Sequence, residues 1–136
     1  MNSPQLKIKY YKLWTIQDVR NNPDHLFIFG DNDQHKGRGG QAIIRGQQNA
    51  FGIPTKKYPS FNNNAFYTDT ELIQNKIKID QAINKILASL PKYKVLVFPE
   101  DGLGTGLAQL NTKAPLTFKY LNEQLSILKS LSLAIQ

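Results

Sequence analysis

Two glycine-rich segments of this 136-residue sequence have a composition suited to binding a phosphorylated ligand. They are DNDQHKGRGG and EDGLGTGLAQL, called loop 1 and loop 2 below. Their glycines are Gly37, Gly39 and Gly40 in loop 1, and Gly102, Gly104 and Gly106 in loop 2. Glycine tolerates backbone conformations that aim successive N–H groups into one concavity, and a helix starting at Gln41 would add partial positive charge. Each segment therefore predicts a phosphate-binding loop, although a simple chain turn would use the same glycines.

Both loops follow short apolar runs, LFIFG from Leu26 to Gly30 and VLVFP from Val95 to Pro99. Such runs are typical of strands buried on both faces. In an open α/β sheet, ligands bind in the crevice beyond the carboxyl ends of the strands. We therefore expect the two loops to open at the same edge and to form one cleft.

Loop 1 matches neither of the common nucleotide-binding patterns. GRGGQA lacks the Lys and Ser or Thr of a Walker A loop, and it does not fit GxGxxG either. ATP hydrolysis and nicotinamide chemistry of the usual kinds are disfavoured. With no cysteine and two histidines, no metal site is expected, and we expect no cofactor.

Several side chains beside the loops suit acid–base chemistry or ligand contact. Asp31 and Asp101 each follow a buried strand, where a carboxylate can bind a ribose hydroxyl or act as a general base. An Asx turn or an Asp-Gly turn would explain the same residues. In the Asn-rich segment 58–69, Phe66 or Tyr67 is the candidate for stacking on adenine.

The remaining chain alternates strand and helix patterns, which predicts an α/β domain with a mixed, largely parallel sheet and helices on both faces. The predicted strands are Leu6 to Leu13, the two apolar runs, FGIPT with Pro54 at a sheet edge or a strand end, and LSLAI at the end. The predicted helices run from an N-cap at Thr15, with Asp18 three residues on, to Asn21, and from Gln41. Two further helices are predicted, from a cap at Asp69 or Thr70 to Pro91 and from Asn111 or Thr112. We expect residues 1–136 to form a single domain without internal repeats.

The net charge is +7, and nine basic against four acidic side chains lie in residues 1–60. This excess of positive charge favours nucleotides, nucleic acid or other polyanions as partners. Lysines scattered over the surface would give the same net charge without such a partner. No segment has the pattern of a signal peptide or a membrane span, so we expect a cytoplasmic protein without membrane contact.

Three segments together resemble the macrodomain family: FGDN…GRGGQAI, FGIPTKKYPSF and VLVFPEDGLGTGLAQL. The similarity covers about residues 26 to 126. It is closest to the branch of the terminal ADP-ribose protein glycohydrolase and the antitoxin that removes ADP-ribose from DNA. The resemblance implies a macrodomain-like three-layer α/β/α fold that binds ADP-ribose.

The resemblance also implies roles for particular residues. Lys56 matches the lysine that attacks the anomeric carbon in the similar glycohydrolases, whereas Ala108 replaces the acidic residue expected after Gly-x-Gly-Leu. Asp31 and Asp101 are the further catalytic candidates. The implied ligand-binding set is Gly30, Asp31, Asn32, Gly37, Gly39, Gly40, Gln41, Thr55, Pro99, Gly102, Gly104, Thr105, Gly106 and Leu107.

Three functions fit these features. The chain could bind ADP-ribose or an ADP-ribosylated protein or nucleic acid and hydrolyse the ADP-ribosyl bond through Lys56. It could instead be a non-catalytic reader of ADP-ribose or a related nucleotide, as Ala108 suggests. A basic nucleic-acid-binding protein is the third alternative.

Overall fold

The computed structural model describes residues 6–134, with side chains through Ser130. Its centre is a four-stranded sheet in the order β1-β4-β2-β3. The strands are β1 (Lys7–Tyr11), β2 (His25–Asn32), β3 (Ala50–Lys56) and β4 (Val95–Pro99). All of them pair in parallel. The largely parallel sheet expected from the sequence is confirmed, but its four strands contain no antiparallel pair, so it is not mixed. Antiparallel pairing in the described part of the chain is limited to one isolated bridge between Lys56 and Phe66.

Helices cover both faces of the sheet, which gives the expected three-layer α/β/α arrangement. One face packs α1 (Ile16–Asn21) and the 3₁₀ turn Gly40–Ile44 against β2 and β4, around Trp14, Phe27 and Phe29. The other face packs α2 (Leu72–Ser89) and α4 (Pro115–Ala134) against the sheet, around buried Leu and Ile side chains. A short helix, α3 (Leu110–Lys113), precedes α4. The remaining 3₁₀ turns are Asn63–Ala65, Asp69–Glu71 and Leu90–Lys92.

The order of the strands places three strand ends at the rim of one crevice. Strands β2 and β4 are neighbours, and their carboxyl ends lead into loops 1 and 2. Strand β1 lies on the other side of β4, so the segment after Tyr11 reaches the same edge. Strand β3 forms the opposite edge of the sheet, as Pro54 predicted.

The helix starts follow the sequence in one case and depart from it in another. Thr15 and Asp18 form the predicted capping box of α1, with each side chain accepting from the other residue's N–H. Asp69 does not cap α2. Its carboxylate instead accepts from the backbone N–H groups of Leu116 and Thr117, which lie in the first turn of α4. The prediction of a local cap at Asp69 is therefore wrong, because a remote helix start uses the same acceptor.

The carboxyl-terminal segment also differs from its prediction. Residues 131–134 continue α4, so the expected strand LSLAI is wrong over this part, and Ile135 lies outside the described residues. Leu121, Leu125 and Leu128 recur at helical spacing and place one apolar face of α4 against the core. The segment from residue 131 continues this helix instead of forming a strand. No helix in residues 6–134 is long and apolar enough to cross a membrane.

Candidate binding cleft

A cleft of about 310 Å³ opens at the carboxyl edge of the sheet, and both glycine loops line it. Its walls include most of the residues proposed for ligand binding: Gly30, Gly39, Gly40, Gln41, Thr55, Pro99, Gly104, Thr105, Gly106 and Leu107. The catalytic candidate Asp101 lines it as well. Ala108 also lines it. The structure thus brings together residues from the ends of β2, β3 and β4. This volume lies at the lower end of the range for small-molecule sites.

Gln41 holds the two loops together. Its Oε1 accepts from the N–H of Gly30 at 2.9 Å, and its Nε2 donates to the carbonyl of Gly102 at 2.9 Å. The carbonyl of Gln41 in turn accepts from Nε1 of Trp14 at 3.0 Å. A Cβ at Gly30 would lie 3.4 Å from Oε1 of Gln41 and 3.5 Å from Oγ1 of Thr55. The end of β2, loop 1 and loop 2 are therefore joined through one amide side chain.

Four glycines of the two loops, Gly37, Gly40, Gly102 and Gly104, have positive φ angles that other residues adopt only with strain. Gly40 has φ +58° where loop 1 enters its 3₁₀ turn. Gly104 has φ +83°, and its carbonyl accepts from the N–H of Leu110 at 2.7 Å. A Cβ at Gly104 would lie 3.0 Å from atoms of the Leu110 side chain. Both loops therefore need glycine for their shape.

Asp31, proposed as a catalytic residue, lies outside the cleft. Its buried carboxylate accepts from Nε and Nη2 of Arg45 at 3.0 and 2.6 Å, and Nδ1 of His35 lies 2.8 Å away. Arg45 also donates to the carbonyl of Gly37. Asp31 thus holds loop 1 through Arg45, which bonds both to Asp31 and to the carbonyl of Gly37. Asp31 itself lines a second cavity along β3.

The neighbouring polar residue Asn32 is also used within loop 1. Its Oδ1 accepts from the N–H groups of Gln34 and Lys36, and its Nδ2 donates to the carbonyl of Lys36 at 2.7 Å. Asn32, Gly37 and Gly102 do not line the cleft. They shape the loops that do.

Lys56 contacts the cleft wall without lining the cleft. Its side chain is buried, and Nζ donates to the carbonyl of Leu107 at 3.4 Å, a residue that does line the cleft. The rings of Phe61 and Phe66 lie 5.0 and 4.7 Å from Nζ. Burial lowers the pKa of the Lys56 ammonium below its usual value. Lys57, in contrast, forms an ion pair with Glu71 at 2.6 Å.

The aromatic residues of the cleft are not the ones expected from the sequence. Phe66 and Tyr67 are buried, and the hydroxyl of Tyr67 donates to Asp33, so neither ring is free to stack on a base. Tyr11, the last residue of β1, and Trp14, from the segment between β1 and α1, line the cleft instead. Sequence reasoning missed them because nothing local shows that β1 pairs with β4. The described residues contain no group of three or more acidic, His or Cys side chains placed to hold a metal ion.

These features define a three-layer α/β protein with a glycine-walled cleft at the carboxyl edge of a parallel sheet. The chain belongs to a family of unknown function, DUF7831, whose profile matches residues 9–124. The matched span contains both glycine loops, Gln41 and Lys56. No curated protein and no solved structure matches the chain.

Proposed function

We propose that the cleft binds ADP-ribose, either free or attached to a protein or nucleic acid. The observation that supports this most directly is the Gln41 link, because it holds two glycine-rich loops as facing walls of one cleft. Backbone N–H groups of such loops bind phosphate oxygens without a charged side chain. A diphosphate between the two walls can contact both loops at once.

The other parts of ADP-ribose have candidate partners on the same rim. Tyr11, which is partly exposed, offers aromatic surface for adenine. Asp101 is exposed at the rim and offers acceptors for a ribose hydroxyl. Lys12, also at the rim, adds a positive charge that favours an anionic ligand.

Hydrolysis of an ADP-ribosyl bond is the second part of the proposal, and it rests on Lys56. A lysine whose pKa is lowered by burial has a larger neutral fraction, which is the nucleophilic form. In this step the neutral amine forms a bond to the anomeric carbon, the bond to the acceptor breaks, and the acceptor leaves with a proton. Water then releases ADP-ribose and restores the amine.

A binding module without turnover remains the alternative. Lys56 is separated from the cleft by Leu107, and Ala108 lines the cleft where the resemblance implies an acid. Ligand binding is therefore our first proposal for the cleft, and hydrolysis is the second. A cytoplasmic location belongs to the same proposal, since a sequence without cysteine suits a reducing compartment.

Calorimetry with ADP-ribose, ADP, AMP and NAD in parallel tests the binding proposal. We expect ADP-ribose to bind best, and AMP to bind at least about tenfold more weakly because it lacks the diphosphate. Gly106→Phe should abolish binding, since it places a ring at a residue that lines the cleft, where a Cβ meets nothing within 4 Å. Absence of binding to all four ligands, or full binding by Gly106→Phe, would refute it. Strong binding of an oligonucleotide with a steep salt dependence would favour the nucleic-acid alternative instead.

Release of ADP-ribose from an ADP-ribosylated peptide and from ADP-ribosylated DNA tests the catalytic proposal. Lys56→Ala should abolish turnover and retain binding. Lys57→Ala is the matched control, because Lys57 is paired with Glu71 and should not be needed. Turnover retained by Lys56→Ala would refute the lysine mechanism. Binding without turnover by the wild-type protein would identify a reader.

A further inference from the structure

A second cavity, of about 510 Å³, runs along the outer edge of β3, and we call it the edge groove. Ala50, Phe51, Gly52 and Pro54 of β3 line its middle. Arg45 lines one side, and Lys78 and Lys85 of α2 line the other. The groove does not share a lining residue with the glycine-walled cleft.

The edge of β3 is accessible to another strand. Strand β3 has β2 on one side and is the last strand of the sheet. At its carboxyl end, its outer side already takes an antiparallel segment, because Lys56 bridges Phe66 and the N–H of Lys57 donates to the carbonyl of Ala65 at 2.8 Å. Beyond Phe66 this segment turns away into the 3₁₀ turn Asp69–Glu71. Within residues 6–134, the outer side of Ala50–Pro54 has no strand against it.

The charges around the edge groove favour an acidic occupant. The two carboxylates that line it, Asp31 and Asp33, are already paired with Arg45 and Lys78 at 2.6 and 2.7 Å. Lys85 is exposed and forms no ion pair with a carboxylate of the described residues. The groove thus keeps an unneutralised positive charge. A second copy of this chain would bring the same basic side chains face to face, which disfavours pairing of β3 with itself.

We propose that the edge groove binds an extended acidic segment of a partner protein, which adds a fifth strand beside β3. Ala50 already donates its N–H to the carbonyl of Gln47 at 3.1 Å, and Pro54 has no N–H, so the edge offers a partner strand the N–H of Gly52 and backbone carbonyls. Main-chain hydrogen bonds to these groups supply affinity, and acidic side chains that meet Lys85 supply specificity. A partner strand beside Ala50–Pro54 would cover roughly 17 Å at about 3.4 Å per residue. The proposal is independent of the nucleotide cleft.

Fluorescence anisotropy with a labelled octapeptide of alternating Val and Glu tests this proposal on the full chain. We expect this peptide to bind, and an octapeptide of alternating Val and Lys not to bind. A Val-Glu peptide N-methylated at every residue keeps its side-chain charge but has no backbone N–H on either edge, so it should bind at least about tenfold more weakly. Equal binding of the methylated peptide, or no binding of the unmethylated one, would overturn the proposal.

Charge reversal on α2 supplies the matched variant. Lys85→Glu should weaken the Val-Glu peptide at least about tenfold, whereas Lys119→Glu, an exposed lysine of α4, makes the same charge change away from the groove. Equal effects of the two variants would show that peptide binding depends only on the net charge of the protein, and would overturn the proposal. A dimeric mass for the free protein, together with no peptide binding, would overturn the proposal in favour of a second copy as the occupant to test.

Discussion

Replacement of Gln41 by Ala removes the link between the two walls of the cleft. The wild-type amide accepts from the N–H of Gly30 and donates to the carbonyl of Gly102, each at 2.9 Å. Gly30 and Gly102 are both partly buried, so water replaces the lost partners only in part. The variant keeps the backbone carbonyl at position 41 that accepts from Trp14, because that contact does not use the side chain.

The expected loss follows from the two hydrogen bonds. Each intramolecular hydrogen bond contributes about 0.5 to 1.5 kcal/mol net, and a buried partner left unpaired adds to the cost. We therefore expect Gln41→Ala to lower the free energy of unfolding by about 2 kcal/mol. For a domain of this size, that loss lowers Tm by about 6 to 8 °C. Gln41→Glu should be no better, because a carboxylate accepts from Gly30 but cannot donate to the carbonyl of Gly102.

Urea denaturation and thermal unfolding measure this loss, and calorimetry with ADP-ribose measures its effect on the cleft. Gln47→Ala is the control, since Gln47 makes one exposed side-chain bond, to Nε of Arg20 at 3.1 Å. We expect that control to change stability by less than about 0.5 kcal/mol. If Gln41→Ala were as stable as Gln47→Ala and bound ADP-ribose as well as the wild type, the Gln41 amide would not be what joins the two walls.

Two further predictions concern the loops. Arg45→Met leaves the buried carboxylate of Asp31 without its cation, so the free energy of unfolding in urea should fall by about 3 to 5 kcal/mol. Adding Asp31→Asn should restore part of that loss, and no recovery in the double variant would contradict the pairing argument. Gly104→Ala combines φ +83° with a Cβ 3.0 Å from Leu110 and should cost about 1 to 3 kcal/mol. Gly106→Ala, where a Cβ meets nothing within 4 Å, should cost less than about 0.5 kcal/mol by the same measurement, and equal losses would refute the distinction.

The strands that lead into the cleft loops, β2 and β4, were predictable because their continuous apolar side chains indicate burial on both faces. LFIFG and VLVFP are short, continuous apolar runs that lead into glycine-rich segments, a pattern typical of strands covered on both faces by helices. The capping box at Thr15 and the edge position of β3 at Pro54 were also predictable, because both depend on local backbone chemistry.

Features that depend on distant pairing were not predictable in this way. The sequence does not show that β1 inserts beside β4, so the contributions of Tyr11 and Trp14 to the cleft were missed. Asp69 has the local pattern of a cap for the helix that follows it, yet it satisfies the first turn of α4. An acceptor near two helix starts serves the one that the tertiary packing brings closer.

The order of the strands sets when the cleft can form during folding. Strand β4 lies between β1 and β2, and it pairs Val95 both with Lys7 and with His25. The pairing of Val95 with Lys7 closes a chain segment of nearly ninety residues. We expect this pairing to be a slow step of folding, because the chain loses the entropy of a long loop before the new contacts stabilise it. During synthesis, β2 and β3 can pair while β4 is still missing, but loop 2 is then absent and Gln41 has no partner at Gly102. A nascent chain that ends before Val95 therefore lacks one wall of the cleft, and we expect it not to bind ADP-ribose, the ligand we propose.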